Sequence, residues 1–134
     1  MKQFKVKVSN EAGALAKVCE ALAEKNVSIR AISTEAVSST NGFIKLITGD
    51  DVKTKAALDA SGFTYTESPV IVIDVIDSPD SMAQITRKIS DAQINIKSFY
   101  LLDKGLFAMT VPREDFLKAK EALGDRVIES TWFF

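Results

Sequence analysis

Val8 to Ile32 reads VSNEAGALAKVCEALAEKNVSIRAI, and Val75 to Phe99 reads VIDSPDSMAQITRKISDAQINIKSF. Laid over one another at an offset of 67, half of the 134 residues, the two stretches keep chemical class position by position. Val8 lies on Val75, Asn10 on Asp77, Leu15 on Met82, Val18 on Ile85 and Leu22 on Ile89. Val27 then falls on Ile94, Ile29 on Ile96, Arg30 on Lys97 and Ile32 on Phe99. Further along the offset drops to 63, with Gly42-Phe43-Ile44 over Gly105-Leu106-Phe107, and it recovers to 65 at Ala57-Leu58 over Ala122-Leu123. The second copy therefore has a shorter turn. A tandem duplication joined near Ser68-Pro69 is expected, with domains 1–68 and 69–134.

Within each copy the hydrophobic period switches between two and 3.6, which predicts strand, helix, strand, strand, helix, strand. Phe4, Val6 and Val8 alternate with Lys5 and Lys7, while Leu15, Val18, Cys19 and Leu22 mark one helix face. Val27 to Arg30 returns to alternation, Asn41-Gly42 reads as a hairpin turn, and Phe43 to Ile47 as the third strand. Asp50-Asp51 opens a helix that Gly62 ends, before a strand at Phe63 to Tyr65. In the second copy the strands are expected at Val70 to Ile76, Ile94 to Leu102, Leu106 to Val111 and Val127 to Phe134. Ser78-Pro79 reads as N-cap and first helical residue, Met82, Ile85 and Ile89 as a helix face, and Phe116, Ala119 and Leu123 as another. This order is the split βαβ, ferredoxin-like arrangement, an α+β fold, occurring twice.

Composition excludes several function classes. With no histidine, the usual general base and the commonest metal ligand are both missing. A single cysteine allows neither an intrachain disulfide nor a cysteine-based zinc site. No nucleophile–base pair can be assembled, so a non-enzyme without cofactor or metal is expected. Seventeen basic against 18 acidic residues argue against broad binding to phosphate backbones, so no nucleic-acid partner is expected. Lys2 and Lys5 stand where a secretory signal needs an apolar run, and Val70 to Ile73 is far short of a membrane span. A cytoplasmic protein without membrane association follows as the expectation.

Size sets the assembly. A unit of this length buries only roughly 60% of its unfolded surface, so it is marginal alone. Two sheets side by side, making one eight-stranded antiparallel sheet with helices on one face, would cover two edges. The opposite face would then show residues such as Phe4 or Ile44, and a homodimer stacking those faces is expected. Trp132-Phe133-Phe134 reads as an apolar tail packed on such a partner.

The first repeat reads Asn10-Glu11-Ala12-Gly13-Ala14-Leu15 and later Asn26-Val27-Ser28-Ile29; the second reads Asp77-Ser78-Pro79-Asp80-Ser81-Met82 and later Gln93-Ile94-Asn95-Ile96. These segments resemble the Asp/Asn, Pro-Gly, Leu turn and the Gly-hydrophobic-Asn-Ile segment of ACT domains. The chain is similar to free-standing tandem ACT proteins of the amino-acid-binding, regulatory type. The resemblance implies an allosteric protein that senses a small amino acid between modules and modulates a partner enzyme of amino-acid metabolism or another regulator.

In that family the first strand-to-helix loop of one module faces the start of the second strand of its neighbour. Carried over residue by residue, one site comprises Asn10, Glu11, Ala12, Gly13, Ala14 and Leu15 facing Asn95 and Ile96. A weaker one comprises Asp77, Asp80, Ser81 and Met82 with Ser28 and Ile29. Free N–H groups at a helix N-terminus favour a carboxylate, and glycine lets backbone approach a ligand. Ala12 departs from the usual Pro, and Asp80 replaces the glycine with bulk and negative charge. One competent site and one weaker or lost site are therefore expected.

Each residue also has a structural reading. Asn10 fits an N-cap, Gly13 fits close helix–sheet packing, and Cys19 fits an inert core thiol. Asp50-Asp51 suits helix capping better than metal binding. Two other functions share this element order: an interaction or regulatory subunit with no small-molecule ligand, and RNA binding of the RRM type. The latter needs exposed aromatics and a basic third strand, which Asn41 to Leu46 and Lys104 to Met109 match only in part.

Overall fold

The computed structural model describes residues 1–75 and 78–130. They divide into two units, Met1–Glu67 and Ser68–Phe134, each with its own sheet, helices and core. The first unit runs β1 (Lys2–Ser9), α1 (Ala14–Glu24), β2 (Ile29–Ala36), β3 (Asn41–Thr48), α2 (Asp51–Ala60) and β4 (Thr64–Pro69). The second runs β5 (Ile71–Asp74), α3 (Pro79–Asp91), β6 (Ser98–Asp103), β7 (Leu106–Thr110), α4 (Phe116–Leu123) and β8 (Val127–Ser130). Strand order is β2-β3-β1-β4 in one sheet and β6-β7-β5-β8 in the other, the ferredoxin-like order twice. Each unit thus carries one four-stranded antiparallel sheet with two helices, the α+β fold expected for both copies.

The repeat holds in register along the core of each ladder, up to a bulge between Leu101 and Asp103 that the first hairpin lacks. Phe4 faces Leu46 and Val6 faces Ile44; in the second unit Ile71 faces Met109 and Ile73 faces Phe107. Likewise Ile32 and Thr34 face Leu46 and Ile44, as Phe99 and Leu101 face Met109 and Phe107. First and second strands are displaced by 67 and third strands by 63, so the missing residues come out of the hairpin tip alone.

Alternation along the strands decides what is buried. Phe4, Val6, Ile44 and Leu46 turn to the helices and pack with Val18, Leu22, Ala57 and Leu58. Their counterparts Ile71, Ile73 and Met109 pack with Ile85, Ile89, Phe116, Ala119 and Leu123. Each large side chain so buried contributes about 1.5–3 kcal/mol. This corrects the expectation that Phe4 and Ile44 lie on the face away from the helices: they are 0% and 2% exposed inside the core. That outer face carries Lys5, Lys7, Phe43 and Lys45 in the first unit, with the Lys5 ammonium 4.2 Å from the Phe43 ring centre.

Several boundaries moved, for local reasons. Asn41-Gly42 is not the turn; both residues begin β3, and the turn is Val37 to Thr40. The Ser38 hydroxyl accepts from the N–H of Thr40 and of Asn41, and the N–H groups of Val37 and Ser38 donate to the Asn41 carbonyl. That side-chain turn needs no positive φ. Gly42 answers to closeness instead, because a Cβ there would meet the Glu35 carbonyl oxygen at 2.9 Å. β2 and β6 start later than expected, since Val27 N–H and Ile94 N–H are still bonded to helix carbonyls of Leu22 and Ile89. Asp50 caps α2 by accepting from Lys53 N–H at 3.0 Å, and Ser78 caps α3 with Pro79 as first residue, both as expected. The expected tail at Trp132-Phe133-Phe134 and the strand end at Ile76 lie outside the described residues.

Candidate functional site

β1 is a central strand, so its end delivers the following loop against the tip of the β2–β3 hairpin. Asn10 fastens the two: its N–H donates to the Thr40 carbonyl at 2.9 Å, and its amide Nδ2 donates to the Ser38 carbonyl at 2.7 Å. Asn10 is therefore not an N-cap. The N-cap of α1 is Gly13, with φ 91°, and no side chain caps the helix. A Cβ on Gly13 would meet nothing within 4 Å, which removes close packing as its reason. Its left-handed backbone is the reason, since that conformation costs other residues roughly 1–2 kcal/mol. No side chain caps the first turn of α1, where Ala14 N–H donates to the Glu11 carbonyl at 3.3 Å and Ala14 and Leu15 border a cleft of about 180 Å³.

Asn10, Glu11, Ala14 and Leu15 line that cleft together with Val8, Thr34 and Ile44. Asn10, Glu11, Ala12 and Gly13 are exposed, and Leu15 is 42% exposed rather than on the buried face expected for it. Glu11 lies 3.9 Å from Lys17 in a solvent-exposed pair that adds little stability. Cys19 is half-buried at the margin of that helix face, not a core residue.

The second copy starts its helix differently. α3 ends at Asp91, the equivalent of Glu24 where α1 ends, but begins two residues earlier, at Pro79. The Ser78 hydroxyl accepts from Ser81 N–H at 3.2 Å, so this helix end is already capped. Asp80 sits exposed in the first turn, where it complements the helix dipole. Ser81 is buried and its hydroxyl accepts from Arg126 at 3.3 Å, while Met82 packs against the core. Asp77 lies outside the described residues.

Asn95 and Ile96 belong to an extended segment ahead of β6, outside the ladder, in the second unit. Asn95 is exposed and Ile96 is partly buried on the core; both line a pocket of about 360 Å³ with Thr86, Ile89 and Ser90. Ser28 and Ile29 are their counterparts in the first unit, Ser28 exposed and Ile29 packed on the core. The hairpin residues Thr34, Leu101, Lys104 and Phe107, which line clefts beside the two loops, were not singled out from the sequence. Their signal was the pairing of β1 with β3, which sets Val8 opposite Gly42 at the hairpin end. Among the described residues no three acidic or thiol groups gather to hold a metal. Nor, among the described residues, is any helix long and apolar enough to cross a membrane.

Comparison with known proteins agrees with this architecture. The family model described as an ACT domain pair matches residues 1–129. A solved Bacteroides thetaiotaomicron protein superposes with a TM-score of 0.78 at 24% identity, over 91% of this chain and 85% of that one. The ligand-free regulatory subunit of aspartate kinase from Thermus thermophilus gives 0.68 at 17% identity, over 96% and 92%. The corresponding subunit from Thermus flavus gives 0.62 at 17%, over 91% and 89%. At these identities the structural likeness speaks for the fold. No curated protein sequence matches significantly. The family match covers both copies of the repeat, and the chain belongs to the ACT domain pair family.

Proposed function

We propose that this ACT pair is a non-catalytic regulatory protein that binds a small amino acid where one module's first loop meets the second-strand start of another. The observation that carries the reading is the contrast between helix starts: α1 opens at Gly13 with no side-chain cap, whereas α3 is capped by Ser78. A ligand carboxylate fits the α1 end, where N–H groups and dipole both favour it. Asn95 and Ile96 complete that site, and Asn95 can donate to a carboxylate or accept from an ammonium. At the α3 end the Ser78 hydroxyl and Asp80 compete with a ligand, so the site with Ser28 and Ile29 is the weaker one.

Binding between modules stabilises one relative orientation, and a cytoplasmic partner enzyme of amino-acid metabolism reads it. The aspartate kinase regulatory subunits among the structural neighbours support this regulatory reading. A homodimer belongs to the same proposal, with support different from that first expected. Each four-stranded sheet has two edge strands, whose unpaired N–H and C=O groups invite pairing. A thermal-shift screen against the twenty amino acids tests the reading: a selective rise in melting temperature supports sensing. No response across the panel would favour an interaction subunit without ligand.

A further inference from the structure

The outer sheet face of the first module carries a charge pattern that the fold does not require. Across β2, β3 and β1, Ser33, Lys45 and Lys5 stand in one row and Glu35, Phe43 and Lys7 in the next. Lys5 and Lys45 are direct cross-strand neighbours, an arrangement in which like charges repel and weaken a sheet. Both are half-buried, Lys7 is exposed, and among the described residues none of the three is in an ion pair. The Lys5 ammonium lies 4.2 Å from the centre of the Phe43 ring, a contact that directs the charge without cancelling it. In the second module the aligned residues are Val72, Asp74, Leu106 and Ala108, so the same pairing forms there without a lysine.

We propose that this face is a docking surface for an extended acidic segment of a protein partner. The proposal rests on the regulatory reading above and adds to it the chemistry of the partner's surface. Lys5 and Lys7, two residues apart on one strand, are spaced by about 7 Å, and an extended segment with a carboxylate at every second residue has the same spacing. Lys45 widens the positive strip onto the next strand. Charge turns away a second copy of this chain, because stacking the face on its twin sets six ammonium groups against the two Glu35 carboxylates of these rows. A nucleic-acid strand needs free ring faces for its bases, and Phe43, the one ring in these rows, already has Lys5 over it.

The test is titration of the full isotope-labelled chain with a peptide of alternating Glu and Ser, followed by amide NMR shifts, with oligouridylate as a second probe. Shifts at Lys5, Lys7, Phe43 and Lys45 with the peptide, fading as salt is raised, are expected. Lys7→Gln and Lys45→Gln each weaken the peptide about two- to fivefold, the share of one exposed ion pair. Lys45→Gln also raises the melting temperature by relieving its repulsion with Lys5, whereas loss of a lysine kept for the fold would lower it. Unmoved signals at these four residues, unchanged peptide binding by both variants, or a lowered melting temperature for Lys45→Gln overturns the proposal. Tighter binding of oligouridylate at the same residues, or self-association through them, also overturns it. Lys7 and Lys45 take no part in the loop site, so an amino-acid-induced rise in melting temperature beside a null peptide titration sinks the docking surface and leaves ligand sensing in place. Absence of that rise, with the peptide still bound at the lysines, tells against sensing alone.

Discussion

Asn26 and Gln93, 67 positions apart, both hold a left-handed backbone, with φ 57° and 59°. Each follows the first helix of its module and turns the chain so that Val27 or Ile94 can bond back to the helix. Asn tolerates this conformation through its short polar side chain, whereas Gln has no such advantage. Gln93→Gly is expected to stabilise the protein by about 1 kcal/mol and Asn26→Gly by less. Urea unfolding checks both, and equal effects would show that the two turns are not under the strain inferred.

Gly42 and Gly105 are aligned residues with different reasons to be glycine. Gly42→Ala drives a Cβ to 2.9 Å from the Glu35 carbonyl and must displace backbone, at a cost of about 1–3 kcal/mol. Gly105→Ala meets only ordinary contact at 3.7 Å but keeps φ 73°, costing about 1–2 kcal/mol. Hydrogen exchange separates them: the first loosens the β2–β3 ladder, the second only the turn.

Ser78 and Asn10 look alike in sequence as helix-start residues and should behave differently. Ser78→Ala removes a cap and costs about 1 kcal/mol, with loss of helical signal from α3. Asn10→Ala leaves α1 unchanged, since Asn10 does not cap it, but frees the hairpin tip. Faster amide exchange at Ser38 to Asn41, with unaltered helical circular dichroism, is the expected signature.

Tyr65 makes stability fall in alkali. Burial first, then its hydrogen bond to Asp59 at 2.7 Å and the charges of Asp59 and Glu67, raise its pKa from 10 to about 12. The fold favours the protonated phenol, so its contribution is complete below pH 10 and is lost as pH rises through about 12. Burial raises Tyr100 in the same direction. Tyr65→Phe should flatten the fall in melting temperature over pH 10 to 12, and an unchanged slope would assign that fall to Tyr100.

Gly13→Asp places in the first copy the residue the second copy carries. It should abolish the part of the amino-acid-induced rise in melting temperature that comes from the α1 loop site, because a carboxylate then occupies the α1 end. Calorimetry on the unmodified chain is expected to find one site at the loops, and two equal loop sites would contradict the contrast between Gly13 and Ser78.

Periodicity made the cores legible. Val18 and Leu22, or Ile85 and Ile89, announce their faces because an apolar stripe has no other place in a small domain. The hairpin tip was misread at Asn41-Gly42, since a turn built on the Ser38 hydroxyl leaves no strong sequence mark. Sheet face was misjudged at Phe4 and Ile44 because alternation names two faces without saying which one the helices cover. Clefts formed by Leu101 and Lys104 depend on strand pairing across some thirty residues, beyond the reach of any local pattern.

The matched ladders carry a consequence for how two copies of one module can part company. Because the core pairs keep one register, a tip can be exchanged between copies together with the bulge that precedes it in the second, leaving Ile32, Thr34, Ile44 and Leu46 in their places. Grafting Lys104-Gly105 with that bulge would shorten the first hairpin as the second is shortened. The opening at the hairpin end can thus change size while the core pairs beneath it stay fixed.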